Sequence, residues 1–340
     1  MNMKKEKSTE LKDAIEKEAK KSGFSGVVSI EKGNLPLYRK SFGFRDLVNK
    51  IPNEMDTKMG IASGTKIFTA LGIGRLIDSG KLTLDTKVGQ IDPAYKGFID
   101  EDATIGHLLS HRSGIFDYYD EDIIEDFDNF HVEIPWFKLE NPSDYLPLFV
   151  NQKMKFKANE KFSYSNGGYV FLGIIIEKLS GHCYRDFITD NVLKPAGMIN
   201  SGFYALNGLP ENTAYGYKED RKTTNVFNLP IRGGGDGGMY TTADDLTSFW
   251  KSFFSYEILS EEITKDFLKT TSELNDKSGY GYGIYKRLDD TMYFIVGCDA
   301  GVGFDSRYFL KEDLTVSVIS NISEGEESMV DLILDVLEEK

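Results

Sequence analysis

Ser63 and Lys66 stand three residues apart in Gly60-Ile61-Ala62-Ser63-Gly64-Thr65-Lys66, ahead of a segment whose apolar residues Phe68, Leu71, Ile73, Leu76 and Ile77 fall on nearly every side before Gly80 ends it. A helix apolar all round is a buried helix, so a lysine one turn after the serine shares its face inside the protein. Desolvation lowers a lysine pKa toward the neutral amine, the form that accepts a hydroxyl proton. The positive end of the helix dipole also favours charge developing on a serine oxygen at its N-terminus. The implied chemistry is attack by Ser63, with Lys66 as its principal proton acceptor, to form a covalent acyl-enzyme. Taken alone, the tetrad equally suits a capping serine and a lysine that snorkels to solvent.

The elements that must position this pair are legible at both ends of the chain. Residues 11–21 place Leu11, Ile15 and Ala19 on one helical face, with Ser22-Gly23 as a stop. Residues 24–31 and 37–44 alternate like strands around a Gly33-Asn34 turn, which predicts a β-hairpin. Near the other end, 282–287, 292–296, 305–310 and 314–320 read as meandering antiparallel strands. A closing helix is expected from Ser323, with Glu326 completing a capping box and Met329, Ile333 and Val336 on its inner face. Between them the pattern is helical with glycine-rich loops. The fold expected is therefore α+β: an antiparallel sheet from both termini, flanked by helices, over residues 1–58 and 272–340, with a mostly helical inserted region over 59–271 and a cleft at the seam. A length of 340 residues with 40% hydrophobic content can fill two cores.

Downstream, Phe162-Ser163-Tyr164-Ser165-Asn166-Gly167-Gly168-Tyr169 sets a tyrosine and an asparagine two residues apart on a loop before an apolar helix. With Ser63-Gly64-Thr65-Lys66 this resembles the class C β-lactamase and penicillin-binding-protein family of serine hydrolases. Further stretches agree in order and spacing: Thr104 to Gly114 with His107 and His111, Leu193 to Met198, and Gly237 to Leu246. The resemblance implies a β-lactamase/transpeptidase-like fold and activities that include β-lactamase, D-alanyl peptidase and esterase. It also implies that Tyr164 shares protons with Lys66 and Ser63, and that Asn166 bonds the substrate or Lys66. A lysine ammonium nearby would favour the phenolate of Tyr164, and a helix C-terminus would favour a partly cationic His111. The family's third motif, a strand-borne cation, a small or hydroxyl residue and a glycine, finds its best match in Cys298-Asp299-Ala300, followed by Gly301. Cys298 and Asp299 then face the substrate without positive charge, unless Arg232 or Arg307 pairs with Asp299. The backbone N–H groups of Ser63 and Gly301 are the expected oxyanion hole.

Several classes are disfavoured. A formal charge of −14 opposes nucleic acid and anionic lipid as partners, and no apolar run approaches the length of a membrane anchor. The first residues lack an apolar signal core, and two cysteines far apart suit a reducing compartment, so a cytoplasmic location is expected. His107 and His111 lack the intervening glutamate of a zinc-protease helix, so neither metal nor organic cofactor is implied. The expected partner is a small-molecule or peptide substrate. The competing reading is a catalytically weak penicillin-binding or sensor protein of the same fold.

Overall fold

Leu11, Ile15 and Ala19 are all buried on helix α1 (Lys5–Ser22). The computed structural model describes residues 5–33 and 35–338, with side chains from 9 to 33 and from 35 to 337; Asn34 of the predicted turn lies outside the described residues. After α1 come β1 (Gly26–Lys32) and β2 (Leu35–Phe42). The far end of the chain supplies β3 (Ser272–Glu273), β4 (Ser278–Tyr280), β5 (Tyr285–Arg287), β6 (Met292–Asp299), β7 (Val302–Phe309) and β8 (Leu314–Ser320). Their order in one antiparallel sheet is β2-β1-β8-β7-β6-β5-β4-β3. The first strand is thus stitched to the last, with Gly26 opposite Ser320 and Lys32 opposite Leu314. This is the α+β arrangement with a sheet drawn from both ends.

The segment between the two halves of the sheet carries α2 (Lys66–Asp78), α3 (Asn166–Ser180) and α4 (Ala243–Phe254) among short helical turns and long loops. Helices α2 and α3 pack against each other, each buried on most sides, as their unbroken apolar runs require. The chain closes with α5 (Glu327–Glu338). Because side chains alternate along a strand, the sheet serves two cores. Val28, Ile30, Val316 and Val318 pack with Leu11, Ile15, Met329 and Ile333 under α1 and α5, while Val27, Ile319 and Phe304 join the core shared with α2, α3 and α4.

Helix α5 begins three residues later than the capping-box pattern predicts. The Ser323 hydroxyl accepts the Gly301 N–H at 2.7 Å and donates to Asp128 Oδ1 at 2.7 Å, so it is not available to cap a helix. A long-range pair of bonds has displaced a local one. A two-residue strand pair, Met59–Gly60 with Tyr240–Thr241, ties the segment before Ser63 to the glycine-rich loop around Asp236. Among the described residues no helix is long and apolar enough to cross a membrane.

Candidate active site

The strand Met59–Gly60 leads into a single helical turn, Ala62–Thr65, and then into α2. Ala62 has φ +44°, a left-handed conformation that is costly for a residue with a Cβ. That kink is held by Ile61 N–H to Met239 O at 3.0 Å and by Thr65 Oγ1, which donates to Ala62 O at 2.7 Å and accepts Met239 N–H at 3.0 Å. From the other side, strand β6 lies so close that a Cβ on Gly297 would fall 2.2 Å from Ile61 O and 2.8 Å from Ser63 N. Only glycine permits this approach of strand to helix start. The sequence contained this signal in Gly297, but without the fold nothing distinguishes it from other glycines.

Lys66 is 2% exposed, and its Nζ makes three hydrogen bonds: to Ser63 Oγ at 2.8 Å, to Asn166 Oδ1 at 2.7 Å and to Asp236 O at 2.6 Å. Burial lowers its pKa from the ordinary lysine range, opposed in turn by the negative charges of Asp236, Glu121, Asp299 and Asp117. Asn166 and Asp236 O are obligate acceptors toward an amine. When Lys66 is neutral, its two N–H groups can satisfy them and its lone pair is left aimed at the Ser63 hydroxyl.

Tyr164 completes the group. Its hydroxyl is hydrogen-bonded to Ser63, and its ring lies with its centroid 4.9 Å from Lys66 Nζ. The expectation of a favoured phenolate is overturned. Burial pushes the Tyr164 pKa well above the ordinary phenol range, and the acidity of Glu121 and the neighbouring Tyr285 and Tyr280 push it the same way. Tyr164 is therefore a neutral phenol hydrogen-bonded to Ser63.

His111 fixes that phenol. It is 1% exposed, has φ +56°, and its ring centroid is 4.3 Å from that of Tyr164. Nδ1 accepts the Ser165 N–H at 3.0 Å, so the ring proton is on Nε2, which faces Tyr280 Oη at 3.1 Å. Burial, and then the charge of Lys66, hold its pKa well below the usual imidazole range. The predicted partial positive charge on His111 is thus corrected to a neutral ring. His107 lies elsewhere, capping its own helix turn with Nδ1 accepting Thr104 N–H. Among the described residues no cluster suited to a metal occurs.

Asn166 is the first residue of α3 and spends both faces of its amide inside the protein. Its Oδ1 accepts from Lys66, and its Nδ2 donates to Tyr119 O at 2.8 Å and Glu121 Oε1 at 3.0 Å. Beneath it lies a residue that sequence reasoning missed. Asp117, buried, accepts the N–H groups of Asn166 at 2.8 Å and Gly167 at 2.9 Å. This anion at a helix N-terminus anchors the asparagine, while burial raises its own pKa to about 7. Glu121 is a second such residue, standing in an acidic stretch from Asp120 to Asp128 that by itself signals no role.

The third motif departs furthest from expectation. Cys298 lies with Asp128, Glu219, Ser323 and Glu324 around a neighbouring acidic pocket and does not line the cleft that holds Ser63, because it alternates away from Gly297 and Asp299 on β6. Burial raises its thiol pKa above the ordinary cysteine range. Gly301, φ +73°, is a hairpin turn residue pressed against Gly216 and Tyr217, and its N–H is given to Ser323 Oγ. It is not free to bind an oxyanion. Asp299 does line the cleft; its Oδ2 would be 3.9 Å from a Cβ on Gly237, and Tyr119 hydrogen-bonds its carboxylate. Neither arginine offered as its partner reaches it, since Arg307 is engaged with Asp305 at 2.7 Å and Arg232 lies beside Glu140 at 3.8 Å.

The cleft spans about 690 Å³, open solvent included, and is lined by Tyr118, Tyr119, Trp136, Tyr145, Tyr204 and Tyr240 together with Asp236 and Asp299. The aromatics of the 116–137 segment are thereby divided. Tyr118, Tyr119 and Trp136 are cleft wall, Phe116 packs on Phe149, and Phe137 is exposed.

Comparison with known proteins follows the same lines. A family model described as Beta-lactamase matches residues 11–339. Penicillin-binding protein 4* of Bacillus subtilis (strain 168) is 31% identical over 304 residues, covering 83% of this chain and 63% of that protein. The chain thus spans less than two thirds of the length of the curated relatives it matches first. Among solved structures, a penicillin-binding protein from Bacillus halodurans is 36% identical with a TM-score of 0.88, covering 95% of this chain and 99% of that one. An octameric penicillin-binding protein homologue from Pyrococcus abyssi is 28% identical with a TM-score of 0.82, covering 97% and 76%.

Proposed function

The chain belongs to the beta-lactamase family of serine hydrolases, and on that premise we propose that it hydrolyses a small ester, amide or peptide through an acyl-enzyme on Ser63, in the manner of the class C type. The observation that carries this reading is the buried Lys66 amine 2.8 Å from Ser63 Oγ, with its other two bonds committed to Asn166 Oδ1 and Asp236 O. That geometry supplies a pre-oriented base without any reorganisation at the moment of reaction.

In acylation, neutral Lys66 takes the Ser63 proton as Oγ bonds to the substrate carbonyl carbon. The carbonyl oxygen becomes an oxyanion, for which the Ser63 N–H is one donor. The tetrahedral intermediate collapses by breaking the bond to the leaving nitrogen or oxygen. That atom receives the phenolic proton of Tyr164, which is made good by the proton held on Lys66. Water then attacks the ester carbonyl, gives a proton back through Tyr164 and Lys66, and releases the acid and the Ser63 hydroxyl. A neutral phenol with a raised pKa suits the role of donor to a leaving group better than that of base. In this assignment His111 and Asp117 are positioning residues, acting through Tyr164 and Asn166.

The test is intact-protein mass spectrometry after exposure to a fluorophosphonate, a penicillin and an activated ester. A single adduct on the wild type that is absent from Ser63→Ala is expected, and labelling that persists in Ser63→Ala sinks the acyl-enzyme reading. Adduct without ester turnover would favour the sensor or binding protein.

A further inference from the structure

We propose that the acyl donor carries a primary ammonium group close to its scissile carbonyl, as an amino-acid amide or ester or the free N-terminus of a short peptide does, and that Asp299 and Asp236 receive it. The inference rests on Ser63 acylation and adds the substrate class.

Asp299 and Asp236 both line the cleft, and no lysine or arginine is among the residues that line it with them. They sit beside the nucleophile in the chain's spatial order. Asp236 gives its backbone carbonyl to Lys66, and Asp299 reaches toward Gly237, whose own Cβ position is 3.6 Å from Ala62 O. Both residues therefore line the same cleft as Ser63, within reach of a substrate whose amine stands close to the carbonyl it presents to that serine. Each carboxylate has one phenol as donor, Tyr118 for Asp236 and Tyr119 for Asp299. A carboxylate has about four acceptor sites, so both retain capacity for an ammonium, which brings three donors. The walls suit the same cation. Tyr118, Tyr119, Trp136 and Tyr145 line the cleft, and an aromatic face attracts an ammonium where it does not attract a carboxylate.

Charge balance points the same way. The positive charge of Lys66 favours the ionised forms of Asp236, Glu121, Asp299 and Asp117 alike. When Lys66 is neutral and acts as base, its charge no longer offsets the two cleft carboxylates. A substrate ammonium does, whereas a substrate carboxylate would add a third negative charge to a half-enclosed space. The guanidinium groups of Arg232 and Arg307 are beside Glu140 and Asp305, so neither relieves it.

The experiment uses the full chain and three probes sharing one leaving group: alanine p-nitroanilide in both enantiomers, its N-acetyl derivative and its N-succinyl derivative. The wild type is expected to show kcat/KM at least tenfold higher for the free amine than for the N-acetyl probe, with the N-succinyl probe lowest. Asp299→Asn and Asp236→Asn should each compress the amine-to-acetyl ratio toward one. Equal or inverted order in the wild type overturns the proposal without reference to any variant, as does a ratio unchanged in both variants. Fluorophosphonate labelling of the same preparations, lost in Ser63→Ala, reports on acylation separately. Labelling with a flat probe series removes the amine proposal and leaves the acyl-enzyme standing.

Discussion

On the α2 side of the cleft, each polar group is paired with another member of the same small set: Ser63 with Lys66 and Tyr164, Lys66 with Asn166 and Asp236, Asn166 with Asp117. On the β6–β7 side, the groups expected to meet substrate are engaged elsewhere, Gly301 with Ser323 and Arg307 with Asp305, and only Asp299 remains in the cleft. The contrast separates two kinds of constraint. A buried network whose members satisfy one another tolerates no vacancy, because each lost partner leaves a desolvated group unpaired. A wall that contributes single side chains can exchange them, and with them the charge of the ligand it admits.

The first wall should therefore fail steeply. Lys66→Ala is expected to lower kcat/KM for ester hydrolysis by about 10³-fold or more, the upper part of the range for general-base groups, and Lys66→Arg should not restore it, since a guanidinium does not deprotonate in proteins. Stopped-flow acylation rates check this. A loss below tenfold would remove Lys66 as the base. Tyr164→Phe comes next, with a loss of about 10²-fold that is greater for an anilide than for a p-nitrophenyl ester, because only the poor leaving group needs its proton. An equal loss for both would make Tyr164 a packing residue.

The second wall should respond in substrate preference and in stability more than in the rate of acylation by an uncharged ester. Burial raises the Asp299 pKa to about 7, above its unfolded value of about 3.9. A carboxyl group raised in this way favours the folded state fully below the unfolded pKa, and that contribution is lost as pH rises through the folded one. Wild type should thus lose stability between about pH 4 and pH 7 in a way that Asp299→Asn does not. Thermal melts at pH 8 should show the variant more stable by several degrees, since a shift of about three units is worth up to about 4 kcal/mol, with the gap gone at pH 4. A variant less stable at pH 8 would mean that Asp299 holds the wall together. Smallest of all, Ser323→Ala removes the acceptor of the Gly301 N–H and should cost about 1 kcal/mol while kcat on p-nitrophenyl acetate stays within about twofold. A large rise in kcat would return Gly301 to the oxyanion hole, since its N–H would then be free to bind there.

Much of this was readable beforehand because it rests on local pattern. The helix at Leu11, Ile15 and Ala19, the strands drawn from both ends, and the buried helix behind Ser63 follow from periodicity, which depends only on neighbours along the chain. Ser63 and Lys66 could be singled out because they stand within one turn of backbone, whereas Tyr164 and Asn166 were singled out by family resemblance. The relation between the two pairs came from family resemblance, and Lys66 and Asn166 do meet at 2.7 Å.

What the sequence by itself determined is the chemistry available: a serine beside a desolvated lysine, a tyrosine to move protons, and an acidic third motif in place of a cation. What only the tertiary structure decided is where the protons and charges reside. It placed Tyr164 and His111 in surroundings that keep both neutral, gave the Gly301 N–H to Ser323, turned Cys298 out of the cleft, and set Asp117 beneath Asn166. Protonation and hydrogen-bond partnership depend on desolvation and on groups that pack from distant parts of the chain, and neither quantity has a period that a sequence can display.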